Sequence, residues 1–147
     1  MLGPDGVNGL KVLDLYAGTG AFGIEALSRG AERAEFAELE ERRCVEIRKA
    51  LELLGYGQTG KVHRGDAVKV LSRLDGEFDL VFADPPYELD PFEELVAQVN
   101  EEGLLANGAW VFLEHSSRRE LPDDFPGMKL ATRRRYGDSA ITAYRKA

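Results

Sequence analysis

Asp14-Leu15-Tyr16-Ala17-Gly18-Thr19-Gly20-Ala21-Phe22-Gly23, DLYAGTGAFG in one-letter code, decides the fold of this 147-residue chain. The run Lys11 to Tyr16 that leads into it reads as a short buried strand. Phe22-Gly23-Ile24-Glu25-Ala26-Leu27 reads as a helix closed by Gly30. Strand, glycine turn and helix in that order open a doubly wound α/β sheet, and Gly18 to Gly23 matches G-x-G-x-x-G, a pattern usually read as a dinucleotide fingerprint. Taken alone the match is weak, because it says that backbone approaches a ligand without saying which one.

Working outward, the same alternation repeats. Ala34 to Glu38 reads as a second strand, followed by a long helix with Cys44, Ile47, Leu51 and Leu54 at helical spacing and Gly55 as its stop. Lys61 to Arg64 reads as a third strand, Ala67 to Leu74 as a short helix, and Asp75-Gly76 as a turn into the strand Phe78 to Ala83. Asp90-Pro91-Phe92-Glu93 spells an N-cap, a proline at the first helical position and an acid at N3, opening a helix that buries Phe92, Leu95, Val96 and Val99. Gly108 to Glu114 is a fifth strand. A loop rich in proline and acid then precedes Met128 to Arg135 and Ser139 to Arg145, joined by a hairpin turn at Tyr136-Gly137-Asp138. The expected architecture is a single domain over residues 1–147, Rossmann-like, with a mostly parallel sheet and a C-terminal antiparallel hairpin at one edge.

Composition narrows the function classes. A hydrophobic fraction of 44% and a charged fraction of 31% suit a soluble globular protein, and no apolar run approaches a membrane span. The start MLGPDGVNGLKV lacks the basic and apolar regions of a secretory signal, and the one cysteine, Cys44, excludes an internal disulfide, so a cytoplasmic location is expected. The net charge of −7 argues against a surface that grips nucleic acid all round. From Arg118 onward, however, eight basic residues stand against four acids, +4 net, which leaves −11 for the rest. Such a segment suits approach to a polyanion by one face, or is a set of solvated strand positions.

In a doubly wound sheet ligands bind beyond the carboxyl ends of the strands. Those ends carry Asp14 and the Gly18-Thr19-Gly20 turn, then Glu38 and Glu40, then Gly65-Asp66, then Asp84-Pro85-Pro86-Tyr87. A pyrophosphate is ill suited to so many carboxylates. S-adenosylmethionine, with a sulfonium, an ammonium, a ribose diol and an adenine, suits them, and its carboxylate suits the glycine turn. Glu38 is placed to accept from both ribose hydroxyls or is a solvated strand end; Asp66 suits the adenine amine; Asp14 is a ligand or a turn-stabilising carboxylate. Glu40 reads as an acid of its helix start. In Asp84-Pro85-Pro86-Tyr87 a carboxylate and a carbonyl held by two rigid prolines offer acceptors to the two N–H groups of a planar base amine. That favours the rehybridised nitrogen a methyl transfer requires, while Tyr87 offers a face for stacking.

Asp14 to Gly20 resembles motif I, and Asp84 to Tyr87 motif IV, of the S-adenosylmethionine-dependent amino-methyltransferases. More narrowly, AGTGAFGIEALSRGA, the DPPY turn and the ending RRYGDSAIT resemble the bacterial 16S ribosomal RNA guanine-N2 methyltransferase family, over nearly the whole chain from Leu10. The resemblance implies N2-methylation of a guanine in small-subunit ribosomal RNA, with S-adenosyl-L-methionine as cofactor and S-adenosyl-L-homocysteine as product. It also implies no metal, no membrane, and a monomer working on 16S rRNA or the assembling small subunit. It places Asp14, Ala17, Gly18, Thr19, Gly20, Glu38, Asp66 and Ala67 around the cofactor, and Asp84, Pro85, Pro86 and Tyr87 at the target base. It assigns nothing to Tyr136 or Asp138, and His63 and His115 read as structural or surface residues. Family members carry a basic, Arg-Pro-Thr-containing extension before the first strand. Only nine residues precede Leu10 here, so either a segment is missing or the RNA grip rests on Arg118, Arg119 and Arg133 to Arg135. The alternatives are an adenine-N6 methyltransferase of DNA or RNA, a module that holds NAD, and a cofactor-binding fragment with little activity alone.

Overall fold

The computed structural model describes residues 6–147; the first five residues of the N-terminal stretch read for a signal lie outside them. Five strands run parallel: β1 (Lys11–Leu15), β2 (Arg33–Glu38), β3 (Gly60–Arg64), β4 (Phe78–Ala83) and β5 (Leu105–Ser116). They are linked by α1 (Ala21–Ser28), α2 (Glu41–Leu53), α3 (Ala67–Leu71) and α4 (Phe92–Glu101). The antiparallel edge is β6 (Asp124–Phe125), β7 (Met128–Tyr136) and β8 (Ser139–Lys146). The order β3-β2-β1-β4-β5-β8-β7-β6 puts the reversal of strand order between β1 and β4, so the crevice that matters opens beyond the ends of those two strands. The class I methyltransferase fold expected from the sequence is the fold observed.

The buried runs explain why the sheet is central. Val12, Leu13 and Leu15 of β1 and Leu80, Val81 and Ala83 of β4 are almost wholly buried, as strands covered on both faces must be. One side is sealed by Phe92, Leu95, Val96 and Val99 of α4 with Val70 and Leu71 of α3, and the other by Ala26 and Leu27 of α1 with Ile47 and Leu51 of α2. Cys44 sits in the α2 stripe as expected, but Leu54 does not. The helix ends at Leu53, and Gly55 turns the chain with φ 85° and leaves Leu54 exposed.

Three local expectations are corrected. The short helix expected to Leu74 stops at Leu71. The pattern Asp90-Pro91-Phe92-Glu93 does not form a capping box: α4 begins at Phe92, Pro91 is its N-cap, and no side chain caps it. Both acids turn instead to Arg119, Asp90 at 3.1 Å and Glu93 at 2.6 Å, so one guanidinium holds the two carboxylates that the capping pattern had placed at the helix start. The proline- and acid-rich loop also contains the two-residue strand β6, paired to β7 through Phe125 and Met128.

Candidate active site

β1 ends at Leu15, and Tyr16 turns the chain with φ 59°, a left-handed conformation rare outside glycine. Gly18 and Gly20 follow at φ 60° and 80°. Gly20 is the N-cap of α1, and its left-handed conformation favours glycine; a Cβ there would also press on the Ile47 side chain at 3.1 Å. The turn is held by Glu38. Its Oε1 accepts from the Gly18 N–H and its Oε2 from the Glu40 N–H, both at 2.8 Å, although the side chain is only 5% exposed. Glu38 is thus a clamp between two strand ends, and each carboxylate oxygen keeps a further lone pair for hydroxyl donors. Glu40 forms no cap bond and pairs with Arg43 at 3.0 Å.

Asp14 is buried and accepts from the Gly23 N–H at 3.1 Å, tying β1 to the first turn of α1. Burial, with the charges of Asp84 and Glu38 adding to it, pushes its carboxyl up to about 7 against that hydrogen bond. Asp66 caps α3, accepting from the Lys69 N–H at 3.2 Å, and Ala67 is buried behind it. Asp14, Ala17, Gly18, Thr19, Glu38, Asp66 and Ala67 all line one crevice of about 740 Å³. Gly20 is the exception among the residues expected there; it shapes the turn from behind. Acids facing one another across this space repel a pyrophosphate and stabilise a cation, so the donor set fits S-adenosylmethionine and does not fit NAD.

A second hollow of about 310 Å³ adjoins the first, and the two have in common only Asp84, Pro85, Pro86, Tyr87 and Leu89. Pro85 is buried whereas Asp84 and Tyr87 are exposed, so the turn is anchored at its centre and open on both sides. The Tyr87 hydroxyl meets the Ser139 hydroxyl at 2.9 Å, which fastens the turn to the start of β8. Beneath the turn, Phe82 stacks on Phe22 at 4.3 Å between ring centres. Partial burial raises the Asp84 carboxyl above the usual range.

Glu114 and Ser139 also line the second hollow, and sequence reasoning missed both. Glu114 lines the second hollow from the end of β5, and burial with the charge of Asp84 raises its carboxyl too. Its signal is register: Ala83 pairs with Leu113, so Asp84 and Glu114 leave neighbouring strands side by side. Both histidines are tied into the fold by hydrogen bonds, and His115 also lines the second hollow. His63 bonds Glu35 at 2.6 Å, and His115 bonds the Ser116 carbonyl and the Thr142 hydroxyl, each at 2.8 Å. The basic face is smaller than expected. Arg119 is held by Asp90 and Glu93, and Arg133 by Asp123 at 2.9 Å, whereas Arg118, Arg134 and Arg135 enter no ion pair among the described residues. Those residues also contain no cluster of metal-ligating side chains and no helix long and apolar enough to cross a membrane.

The family model described as conserved hypothetical protein 95 matches residues 1–145. The protein YlbH of Bacillus subtilis (strain 168) is 31% identical over 151 residues, 99% of this chain and 80% of that one. Ribosomal RNA small subunit methyltransferase D of Escherichia coli (strain K12) is 30% identical over 136 residues, 92% of this chain and 68% of that one. A solved structure from Streptococcus pyogenes superposes with a TM-score of 0.89 at 29% identity, covering 95% of this chain and 88% of that one. The chain therefore belongs to the conserved hypothetical protein 95 family and is an RsmD-like, S-adenosylmethionine-dependent methyltransferase.

Proposed function

We propose that the protein methylates the exocyclic N2 amine of a guanine in 16S ribosomal RNA. The observation that carries this reading is the pair of adjoining hollows with the Asp84-Pro85-Pro86-Tyr87 turn as their shared wall. A donor in one and an acceptor base in the other meet only at that wall. The name of the Escherichia coli relative supports ribosomal RNA as the substrate class, and the motif IV resemblance supports an amine as the acceptor.

When bound, S-adenosylmethionine supplies an electrophilic methyl group on a sulfonium sulfur. Glu38 would hold its ribose, Asp66 its adenine amine, and the Gly18–Gly20 turn with the start of α1 its carboxylate. On the acceptor side, Asp84 takes a hydrogen bond from the target amine, draws its lone pair out of conjugation and favours the tetrahedral nitrogen. Asp84 would take the surplus N–H proton of the methylated amine, and its raised pKa suits it to act as that base. Tyr87, fastened by Ser139, presents its ring to the base. Arg118, Arg134 and Arg135 are free to meet backbone phosphates, which gives an acidic protein one cationic approach to RNA. The same reading includes action as one domain and one copy, in the cytoplasm, where ribosomal subunits assemble.

Incubation of labelled S-adenosylmethionine with unmethylated small subunits, followed by nucleoside digestion, tests the reading. Label in N2-methylguanosine supports it; label in N6-methyladenosine overturns the guanine assignment.

A further inference from the structure

Glu114 has no task in the steps above, yet it occupies the acceptor hollow. It follows Leu113, the last β5 residue paired with β4, just as Asp84 follows Leu113's partner Ala83, so the two carboxylates emerge side by side from adjacent parallel strands. Both line the hollow of about 310 Å³. Among the described residues no cation pairs with either one. Arg119, on the same wall, is already held by Asp90 and Glu93, and both ring nitrogens of His115 are engaged by Ser116 and Thr142. Burial and the charge of Asp84 raise Glu114, and no favourable partner offsets them. Glu114 is half-buried on the wall of an open hollow, so its carboxylate is accessible to a donor that a ligand brings.

The two acceptors in register match one base edge. Guanine presents N1–H directly beside its exocyclic N2 amine, so one edge offers donors to both carboxylates. Adenine and cytosine present an unprotonated ring nitrogen beside their amine, and that lone pair would face Glu114. We propose that Glu114 is a specificity-determining residue: its carboxylate accepts the N1–H of the target guanine while Asp84 engages the N2 amine. This assignment rests on the guanine-N2 reading and deepens it, because it supplies the reason that an amine-methylating turn rejects adenine. A carboxylate acceptor that the bound base closes off from water discriminates against a base lacking the matching N–H.

The test uses small subunits reconstituted from 16S rRNA ligated to carry either guanine or 2-aminopurine at the accepting position. 2-Aminopurine keeps the amine and lacks N1–H. The wild-type protein should favour guanine by about 100-fold in kcat/KM, as expected for one charge-assisted hydrogen bond and its loss. Glu114→Gln can donate to the unprotonated N1 and should bring the ratio to within about threefold, while Glu114→Ala should narrow it without that gain on 2-aminopurine. An unchanged thermal midpoint in each variant confirms that the fold is intact. If the wild type makes N2-methylguanosine and the guanine to 2-aminopurine ratio is the same in Glu114→Gln, the Glu114 assignment is wrong and the guanine-N2 reading stands. If the wild type labels adenine instead, both fall together.

Discussion

Asp14→Asn isolates the electrostatics of the crevice beyond β1. The wild-type carboxyl is 2% exposed and titrates near 7 rather than 3.8, with burial as the leading cause. A carboxylate raised in this way holds a proton in the folded state at pH values where the unfolded chain has lost it. Its stabilising contribution is therefore complete below about pH 4 and is lost as the pH rises through 7. A shift of about three units at ~1.4 kcal/mol each amounts to roughly 4 kcal/mol over the window, with a slope approaching ~1.4 kcal/mol per pH unit in its middle. Asparagine is neutral at every pH and keeps an oxygen for the Gly23 N–H, so the variant lacks this loss. Urea denaturation at pH 5, 6, 7 and 8 should show the variant gaining on the wild type as pH rises, then levelling off. Glu35, whose carboxyl is held low by His63 and Arg33 in spite of its burial, contributes to both curves and drops out of the difference. Parallel curves across that range would refute the reasoning and place Asp14 in contact with water.

Three further outcomes are expected. Gly23→Ala would put a Cβ 2.3 Å from the buried Phe36 ring, so the ~1 kcal/mol gained in helix propensity is outweighed by overpacking and the urea midpoint falls; a rise would contradict the packing account. Tyr87→Ala should weaken RNA binding by about 1–3 kcal/mol in stacking, while Tyr87→Phe keeps most of it and loses the Ser139 tie; equal effects of the two would remove stacking as the explanation. Arg134→Ala with Arg135→Ala should flatten the slope of log affinity for 16S rRNA against log salt by roughly 0.7–0.9 for each phosphate no longer neutralised, and an unchanged slope would clear that face of any role in RNA binding.

Much of the cofactor crevice is legible because its chemistry is local. Gly18 and Gly20 announce their turn through conformations that other residues avoid, Asp14 and Glu38 are acids near the carboxyl ends of their strands, and Asp66 follows a glycine at the end of β3. The acceptor hollow is only half legible. Asp84 to Tyr87 stands out as a contiguous motif, but Glu114 enters through the pairing of β4 with β5, whose register shifts between Phe78 and Leu80, and β5 starts three residues before the expected Gly108. Ser139 enters through a side-chain hydrogen bond to a residue 52 positions away in sequence. Partner choice was illegible for the same reason. Asp90 and Glu93 carry a capping pattern, and only the return of the chain from β5 brings Arg119 to claim them both.

On the proposed reading, the Asp84 turn presents a guanine amine to S-adenosylmethionine bound on its other side. Methyl transfer by the wild type and by Asp84→Ala, measured in a single turnover on unmethylated small subunits, tests it most directly when S-adenosylmethionine affinity is measured alongside. The wild type should make N2-methylguanosine, while Asp84→Ala should transfer nothing yet bind S-adenosylmethionine within a few fold of wild type. Full transfer by the variant, or a collapse of its cofactor binding, would move Asp84 out of the acceptor site.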